Sequence, residues 1–181
     1  HNPAYVDLTA QSAYDPEKSK ALLAEAGVSD LSLSLKLPPP SYARRGGEII
    51  AAQLREVGIN VDITNVEWAQ WLDDVFKAKN FDMTIVSHTE PMDIGIYARD
   101  DYYFQYGDAD FKAIMADLAN ATDPAKRTEL MQAAQKKIAD DYVNGYLFQL
   151  AALSVAKAGV QGLWSNAPTQ ATDLTGVTWA E

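Results

Sequence analysis

The sequence predicts an α/β domain, a mostly parallel sheet flanked by helices, and three observations carry that expectation. Leu31, Leu33, Leu35 and Leu37 alternate with Ser32, Ser34 and Lys36, the period of two of a strand with one buried face. Ile59, Val61 and Ile63 repeat the pattern against Asn60, Asp62 and Thr64, and the apolar run from Met83 to Val86 supplies a third strand. Helical patterns lie between the strands over short connections, and strand–helix–strand runs of this kind close parallel pairs.

Taken in order, residues 1–13 read as an incoming linker of weak pattern. Asp15-Pro16-Glu17 starts a helix: an Asp N-cap, a proline at the first helical position and an acid at the positive end of the dipole. Leu22, Leu23 and Ala26 give it an apolar side, and Gly27 ends it. Pro38-Pro39-Pro40 stops the first strand. A helix is expected from about Ala43 to Val57, with Ile50, Leu54 and Val57 on one face and Gly58 as its stop. Arg44-Arg45 reads as a solvated helix start, and Gly46-Gly47 as loop flexibility before the helix. Trp68, Trp71, Leu72, Val75 and Phe76 fall at i, i+3, i+4, i+7 and i+8, the strongest amphipathic stripe in the chain, and read as core. Beyond the third strand, Phe111, Ile114, Met115 and Leu118 mark one helix. Thr122-Asp123-Pro124 opens another that turns Leu130, Ala134 and Ile138 inward and ends near Asp141. Tyr146–Leu150 and Leu153–Ala156 read as strands, and the chain after Gly159 as loop-rich.

Composition narrows the function classes. A length of 181 residues allows one substantial core, and a formal net charge of −10 argues against a nucleic-acid binder, which presents a basic face. With no cysteine there is no disulfide, thiolate metal site or cysteine nucleophile. No apolar run approaches the length of a membrane span. The chain contains no G-x-S-x-G, P-loop, dinucleotide-binding glycine pattern or H-E-x-x-H, so no cofactor is expected.

Candidate functional residues gather in Phe81–Tyr106. After the third strand the sequence loses all period, and long patternless loops in compact domains are usually functional. This one leaves the carboxyl end of a strand, where open parallel sheets bind ligands, together with Pro38–Tyr42 and Val66–Trp68. It holds His88, Glu90 and Asp93 at its polar end and Tyr97, Tyr102 and Tyr103 along its side, rings with a large contact area and a polar tip. The expected role is ligand binding. The alternative reading of the rings is that they pin the loop to the domain. One internal histidine with two carboxylates is incomplete as a metal site, so no metal is expected. Glu90 and Asp93 also allow a carboxylate-dependent hydrolase, and the aromatic loop allows a standalone interaction domain.

Three segments, YDPEKSKALLAEAG (Tyr14–Gly27), IIAAQLREVGINVDI (Ile49–Ile63) and EWAQWLDDVFKAKNFDMTIVS (Glu67–Ser87), resemble in order and spacing the C-terminal lobe of family 5 extracellular solute-binding proteins. These are the dipeptide and oligopeptide receptors of ABC importers. YLFQLAALSVAKAGVQGLW (Tyr146–Trp164) resembles that family's return into its first lobe. The resemblance implies a periplasmic-binding-protein-like type II lobe at 14–141 and a return segment at 142–181. It also implies a periplasmic or extracytoplasmic location, a small solute and a membrane permease as partners, and no enzymatic activity. Family members are much longer, so the chain is expected to be one lobe of a two-lobed receptor, with self-association through its tail. Peptide receptors carry Gly-Trp and then an Asp that meets the peptide amino group. Here the positions read Ser87-His88 and the acid is Glu90 or Asp93, with Asp93 preferred, and the expected solute is a peptide or another small polar molecule, a cationic one included.

Overall fold

The computed structural model describes residues 2–88, 93–151, 153–165 and 173–180. The chain divides into two compact units, His1–Gly145 and Tyr146–Glu181.

The first unit is organised on a three-stranded parallel sheet, ordered β2-β1-β3, from β1 (Ser32–Leu37), β2 (Asn60–Asn65) and β3 (Met83–Thr84). Registers Leu33↔Val61, Leu35↔Ile63 and Leu35↔Met83 align the apolar positions of neighbouring strands. The central strand buries its leucines most deeply: Leu35 and Leu37 are fully enclosed. On edge strand β2, Ile63 is exposed where the alternation predicted burial, because a flank without a neighbour leaves that position open. Strand β3 pairs over two residues only. Just before it the Asp82 carboxylate accepts from the Ser34 amide (2.7 Å) and hydroxyl (2.8 Å), so a side chain takes up a backbone donor that a longer β3 would have met.

Helix α1 (Pro16–Glu25) starts as expected, with Asp15 Oδ1 accepting from Lys18 N at 2.9 Å, and ends at Gly27 in the left-handed region. Its expected apolar side is not covered: the helix has no buried residue and Leu22 and Ala26 are exposed. Helix α2 (Ser41–Glu56) corrects two readings. Gly46 and Gly47 are not in a loop but inside the helix, where Ala43, Gly47 and Ala51 form its buried face. A Cβ on Gly47 would lie 2.4 Å from Leu37 Cδ1, so the glycine is there for close approach of helix and strand. Arg44 is not simply solvated, since its guanidinium reaches the chain after β2.

The aromatic stripe is also corrected. Helix α3 (Trp68–Trp71) runs into a π-helical turn over Leu72–Lys77, with Ala78 N–H donating to Asp73 C=O. Bonds of i→i+5 spacing rotate the side chains off the 3.6 period. Trp71 and Val75 are buried and the Trp71 and Phe76 rings meet at 6.3 Å, five residues apart. Trp68 and Leu72 are left 42% and 46% exposed, although the sequence pattern placed both in the core.

A second layer pairs α4 (Ala109–Asn120) with α5 (Pro124–Asp140), capped by Asp108 and Asp123. Phe111, Leu118, Leu130, Ala134 and Ile138 are buried, as the spacing predicted. The N-terminal stretch lies on α5: Gln135 Nε2 donates to the Ala4 carbonyl at 2.7 Å and Gln11 Nε2 to Asp140 Oδ1 at 2.9 Å. The unit runs on past α5, where Val143 packs against the Phe111–Ile138 cluster.

In the second unit the described pairing is β4 (Val160–Gln161) with β5 (Thr178–Trp179), antiparallel. The strands expected at Tyr146–Leu150 and Leu153–Ala156 are absent. The described residues there are irregular and exposed, because apolar alternation makes a strand only where a neighbouring ladder receives it.

Candidate functional site: the carboxyl edge of the parallel sheet

Side chains tie together the segments that leave the carboxyl edge. After β1, Pro38 is buried, and the Pro40 carbonyl accepts from the Ala43 and Arg44 amides as α2 begins. From the first turn of α2, Tyr42 Oη accepts the Ser87 N–H at 3.0 Å, which joins the helix start to the chain leaving β3. Two residues on, Arg44 Nη2 donates to the Val66 carbonyl (3.4 Å) and the Glu67 carboxylate (3.2 Å), joining α2 to the chain leaving β2. Arg44 Nε is buried with no acceptor among the described residues. From α3, Trp71 Nε1–H donates to Thr84 Oγ1 (3.0 Å), whose own proton goes to the Lys36 carbonyl (2.7 Å). That chain of bonds fixes α3 to β3 and β1 at once.

The loop after β3 is packed on this frame. Asp93 opens a 3-10 helix, Asp93–Ala98, inside the stretch where the sequence shows no period. Tyr103 is buried, edge-on to Trp71 at 5.4 Å and 5.5 Å from Phe76, while Tyr102 meets Phe76 edge-on at 5.5 Å. Tyr97 is buried against Phe104 and Phe111, and its hydroxyl accepts from Asn144 Nδ2. The Arg99 guanidinium lies over the Tyr102 ring at 5.3 Å and pairs with Asp101. The loop's end is held by Tyr106, which donates to Asp141, and by Lys137, which bridges Asp141 (2.6 Å) and Asp108 (3.2 Å). Burial and the bond to Asp141 push the Tyr106 phenol up, and the bond from Lys137 holds the Asp141 carboxyl down.

His88 and Asp93 come together at the polar end of the loop. His88 Nδ1 is 3.6 Å from Asp93 Oδ2, an ion-pair separation, and His88 Nε2 is 3.0 Å from Tyr103 Oη. The imidazole stands among the Tyr102, Tyr103 and Phe104 rings, with a quarter of its side chain and a third of Asp93's exposed. Of the six residues singled out in the sequence, His88, Asp93, Tyr102 and Tyr103 form one cluster. Tyr97 lies inside the α4–α5 core, and Glu90 lies outside the described residues. Sequence reasoning passed over Tyr42 and Arg44. Their signal was position: both fall within one helical turn of the Pro38–Pro40 stop, so both had to stand at the carboxyl edge. Among the described residues no group of three or more metal-ligating side chains converges.

Chemically, the edge offers a part-exposed carboxylate, aromatic faces beside it and a partly exposed indole, Trp68, 5.7 Å from Trp71.

Residues 1–110 match the model of the bacterial extracellular solute-binding proteins, family 5, middle region. Di/tripeptide-binding protein 4 of Pseudomonas aeruginosa is 27% identical over 141 residues, 67% of this chain, and the chain spans only 26% of that relative's length. The fold matches a dipeptide-binding protein of Pseudoalteromonas sp. SM9913 in complex with Met-Leu: TM-score 0.72, 20% identity, 98% of this chain and 38% of the other. It also matches an ABC transporter-associated periplasmic binding protein of Helicobacter pylori in complex with the peptide STSA: TM-score 0.65, 20% identity, 77% of this chain and 30% of the other. The sheet with its helices is thus the α/β architecture of type II periplasmic binding proteins.

Proposed function

The chain belongs to the bacterial extracellular solute-binding proteins, family 5, and from that premise we propose that it forms one wall of the solute cleft of an ABC importer's receptor. The solute is a short peptide, or another small polar molecule, that presents a cationic group to Asp93. The protein works by binding and not by catalysis: two lobes close on the solute, and the closed form is what the membrane permease engages, on the extracytoplasmic side. The names of the similar proteins, which are binders of di- and tripeptides, support the solute class. Among the described residues no helix is long and apolar enough to cross a membrane.

The observation that carries the reading is the placement of Asp93. Its carboxylate is part-exposed, beside an aromatic wall, on a loop leaving the carboxyl edge of a parallel sheet. A carboxylate facing a cation in a partly dry cleft makes a charge-assisted bond. Calorimetry or NMR with a dipeptide series tests this. A free amino terminus is required, so N-acetylation or Asp93→Ala abolishes the interaction, a loss of about 2–5 kcal/mol for one partner of such a pair. Equal binding of free and acetylated peptides overturns the assignment.

A further inference from the structure

Asn144-Gly145 is the one Asn-Gly pair in the sequence, and it closes the first unit. The last backbone bonds at the end of α5 come from the Tyr142 and Val143 amides, which donate to the Ala139 and Ile138 carbonyls. Two residues on, Gly145 is exposed, and among the described residues its N–H has no acceptor. Neither packing nor backbone calls for a glycine there. A Cβ would meet nothing within 4 Å, and the residue is not among those with positive φ. Asn144 is part-buried, and its side-chain amide donates to the Tyr97 hydroxyl. Tyr97 belongs to the 3-10 helix Asp93–Ala98, so this one amide ties the loop after β3 to the chain leaving α5.

We propose that Asn144 is a site of spontaneous deamidation, and that its conversion to isoaspartate cuts the tie to Tyr97 and loosens the Asp93–Ala98 helix. The Gly145 nitrogen gives its proton to base in the solvent and bonds to Asn144 Cγ. The Cγ–Nδ2 bond breaks and that nitrogen, taking up a proton, leaves as ammonia, which closes a succinimide ring. Ring closure is easiest before glycine, because a residue without a Cβ takes up the required backbone angles with the least steric cost. Water then opens the ring at one of its two C–N bonds, with no change of oxidation state. Opening at Cγ gives aspartate. Opening at the main-chain carbonyl gives isoaspartate, whose main chain runs through Cβ and Cγ and is one carbon longer. Both products lack the N–H that the Tyr97 hydroxyl accepts. In aspartate the phenol turns and donates to the new carboxylate. In isoaspartate the carboxylate sits on Cα and the lengthened chain no longer presents it from Cβ. The Tyr97 ring, packed on Phe104 and Phe111, then loses its polar anchor. None of this depends on Asp93 being a solute contact.

The test uses the whole chain and no ligand. Wild type and Gly145→Ala are aged at neutral and at mildly alkaline pH and digested with trypsin. Mass spectrometry follows the peptide Ile138–Lys157, in which Asn144 is the only asparagine. Isoaspartate is counted by enzymatic methyl transfer to its α-carboxylate. Wild type converts at Asn144 ahead of every other asparagine, faster at the higher pH, and isoaspartate accumulates. Gly145→Ala, which the open space at that position lets fold unchanged, converts about tenfold more slowly or less. Equal rates in the two chains, or conversion at Asn144 no faster than elsewhere, overturns the site. Hydrogen exchange reads the consequence. The Asp93–Ala98 amides exchange about tenfold faster in the isoaspartate fraction than in fresh protein, as they do in Asn144→Ala. Asn144→Asp and aged Gly145→Ala keep the fresh pattern. If isoaspartate forms and exchange over Asp93–Ala98 is unaltered, the loosening is wrong.

Discussion

Two adjacent glycines show how much one position decides. Gly47 faces the sheet, with a Cβ site 2.4 Å from Leu37 Cδ1 and 3.0 Å from Cδ2, and Leu37 is fully buried with no room to swing away. Gly46, one residue earlier, has only Ile85 Cδ1 near its Cβ site, at an ordinary contact of 3.8 Å. Gly47→Ala should therefore destabilise by about 1–3 kcal/mol through overpacking. Gly46→Ala should be neutral or stabilise by about 0.5–1 kcal/mol, since alanine restricts the unfolded chain and suits a helix. Urea unfolding of the two variants measures the difference, and equal effects would disprove the packing account. Thr84 is a second such position, as it accepts from Trp71 Nε1 and donates to the Lys36 carbonyl. Thr84→Val keeps the shape and removes both bonds, leaving a largely buried indole N–H unmatched at a cost of about 1–3 kcal/mol. A red-shifted, broadened tryptophan emission with a lowered melting temperature is the expected signature; unchanged emission and stability would mean the bond contributes nothing.

The helices and strands that carried a clean period were legible: β1, β2 and the inward faces of α4 and α5 follow from alternation and spacing alone. What was not legible depended on contacts between elements. The Gly46-Gly47 pair reads as a loop until Leu37 is known to press on it, and the Trp68–Phe76 stripe reads as one buried face until the π-helical turn rotates it. Of the two loop acids the sequence singled out, Asp93 stands beside His88 and Glu90 lies outside the described residues. The partition of the tyrosines into buried (Tyr97, Tyr103) and partly buried (Tyr102) needed three dimensions. The loop's far anchor on α5 was equally hidden, since Tyr106, Asp108, Lys137 and Asp141 are joined only by folding. Its pH dependence follows from the direction of each shift. The bonds from Lys137 and Tyr106 hold Asp141 below the ordinary carboxylate range; the Phe111 amide, then Lys137, does the same for Asp108. Groups so depressed add stability above their unfolded values, near 4, and lose it as pH falls through the native ones. Lys137, raised chiefly by Asp141, adds stability below its unfolded value, near 10.5, and loses it as pH rises through the native one. Lys137→Met should thus lower the melting temperature at pH 7, with the gap to wild type narrowing toward pH 3. A gap that is constant with pH would show that the lysine acts through packing instead.

Across the whole chain, apolar burial is divided very unequally, and that division sets the last prediction. Among the described residues every core cluster, from Leu35–Leu37 through Trp71–Tyr103 to Phe111–Ile138, lies in the first unit. Beyond Gly145 the apolar side chains are largely open to solvent: Leu153 is 89% exposed, Val155 fully so, and Tyr146, Phe148, Leu150, Trp164 and Trp179 are all exposed. The sequence reading put the change of role after Asp141, whereas contact density divides the chain between Gly145 and Tyr146. The residues between are not idle, since Val143 packs on the α4–α5 core and Asn144 Nδ2 donates to the buried Tyr97. Two truncations separate the boundaries. A chain ending at Gly145 keeps every described core contact and should melt within a few degrees of the full chain. One ending at Asp141 loses the Val143 contact and leaves the Tyr97 hydroxyl without its amide donor. That is a loss of about 1–3 kcal/mol for the polar group alone, and a drop of several degrees in a unit this size. Equal melting temperatures for the two would place the boundary at Asp141. Failure of the Gly145 form to fold would show that the exposed apolar tail contributes to the stability of the first unit after all.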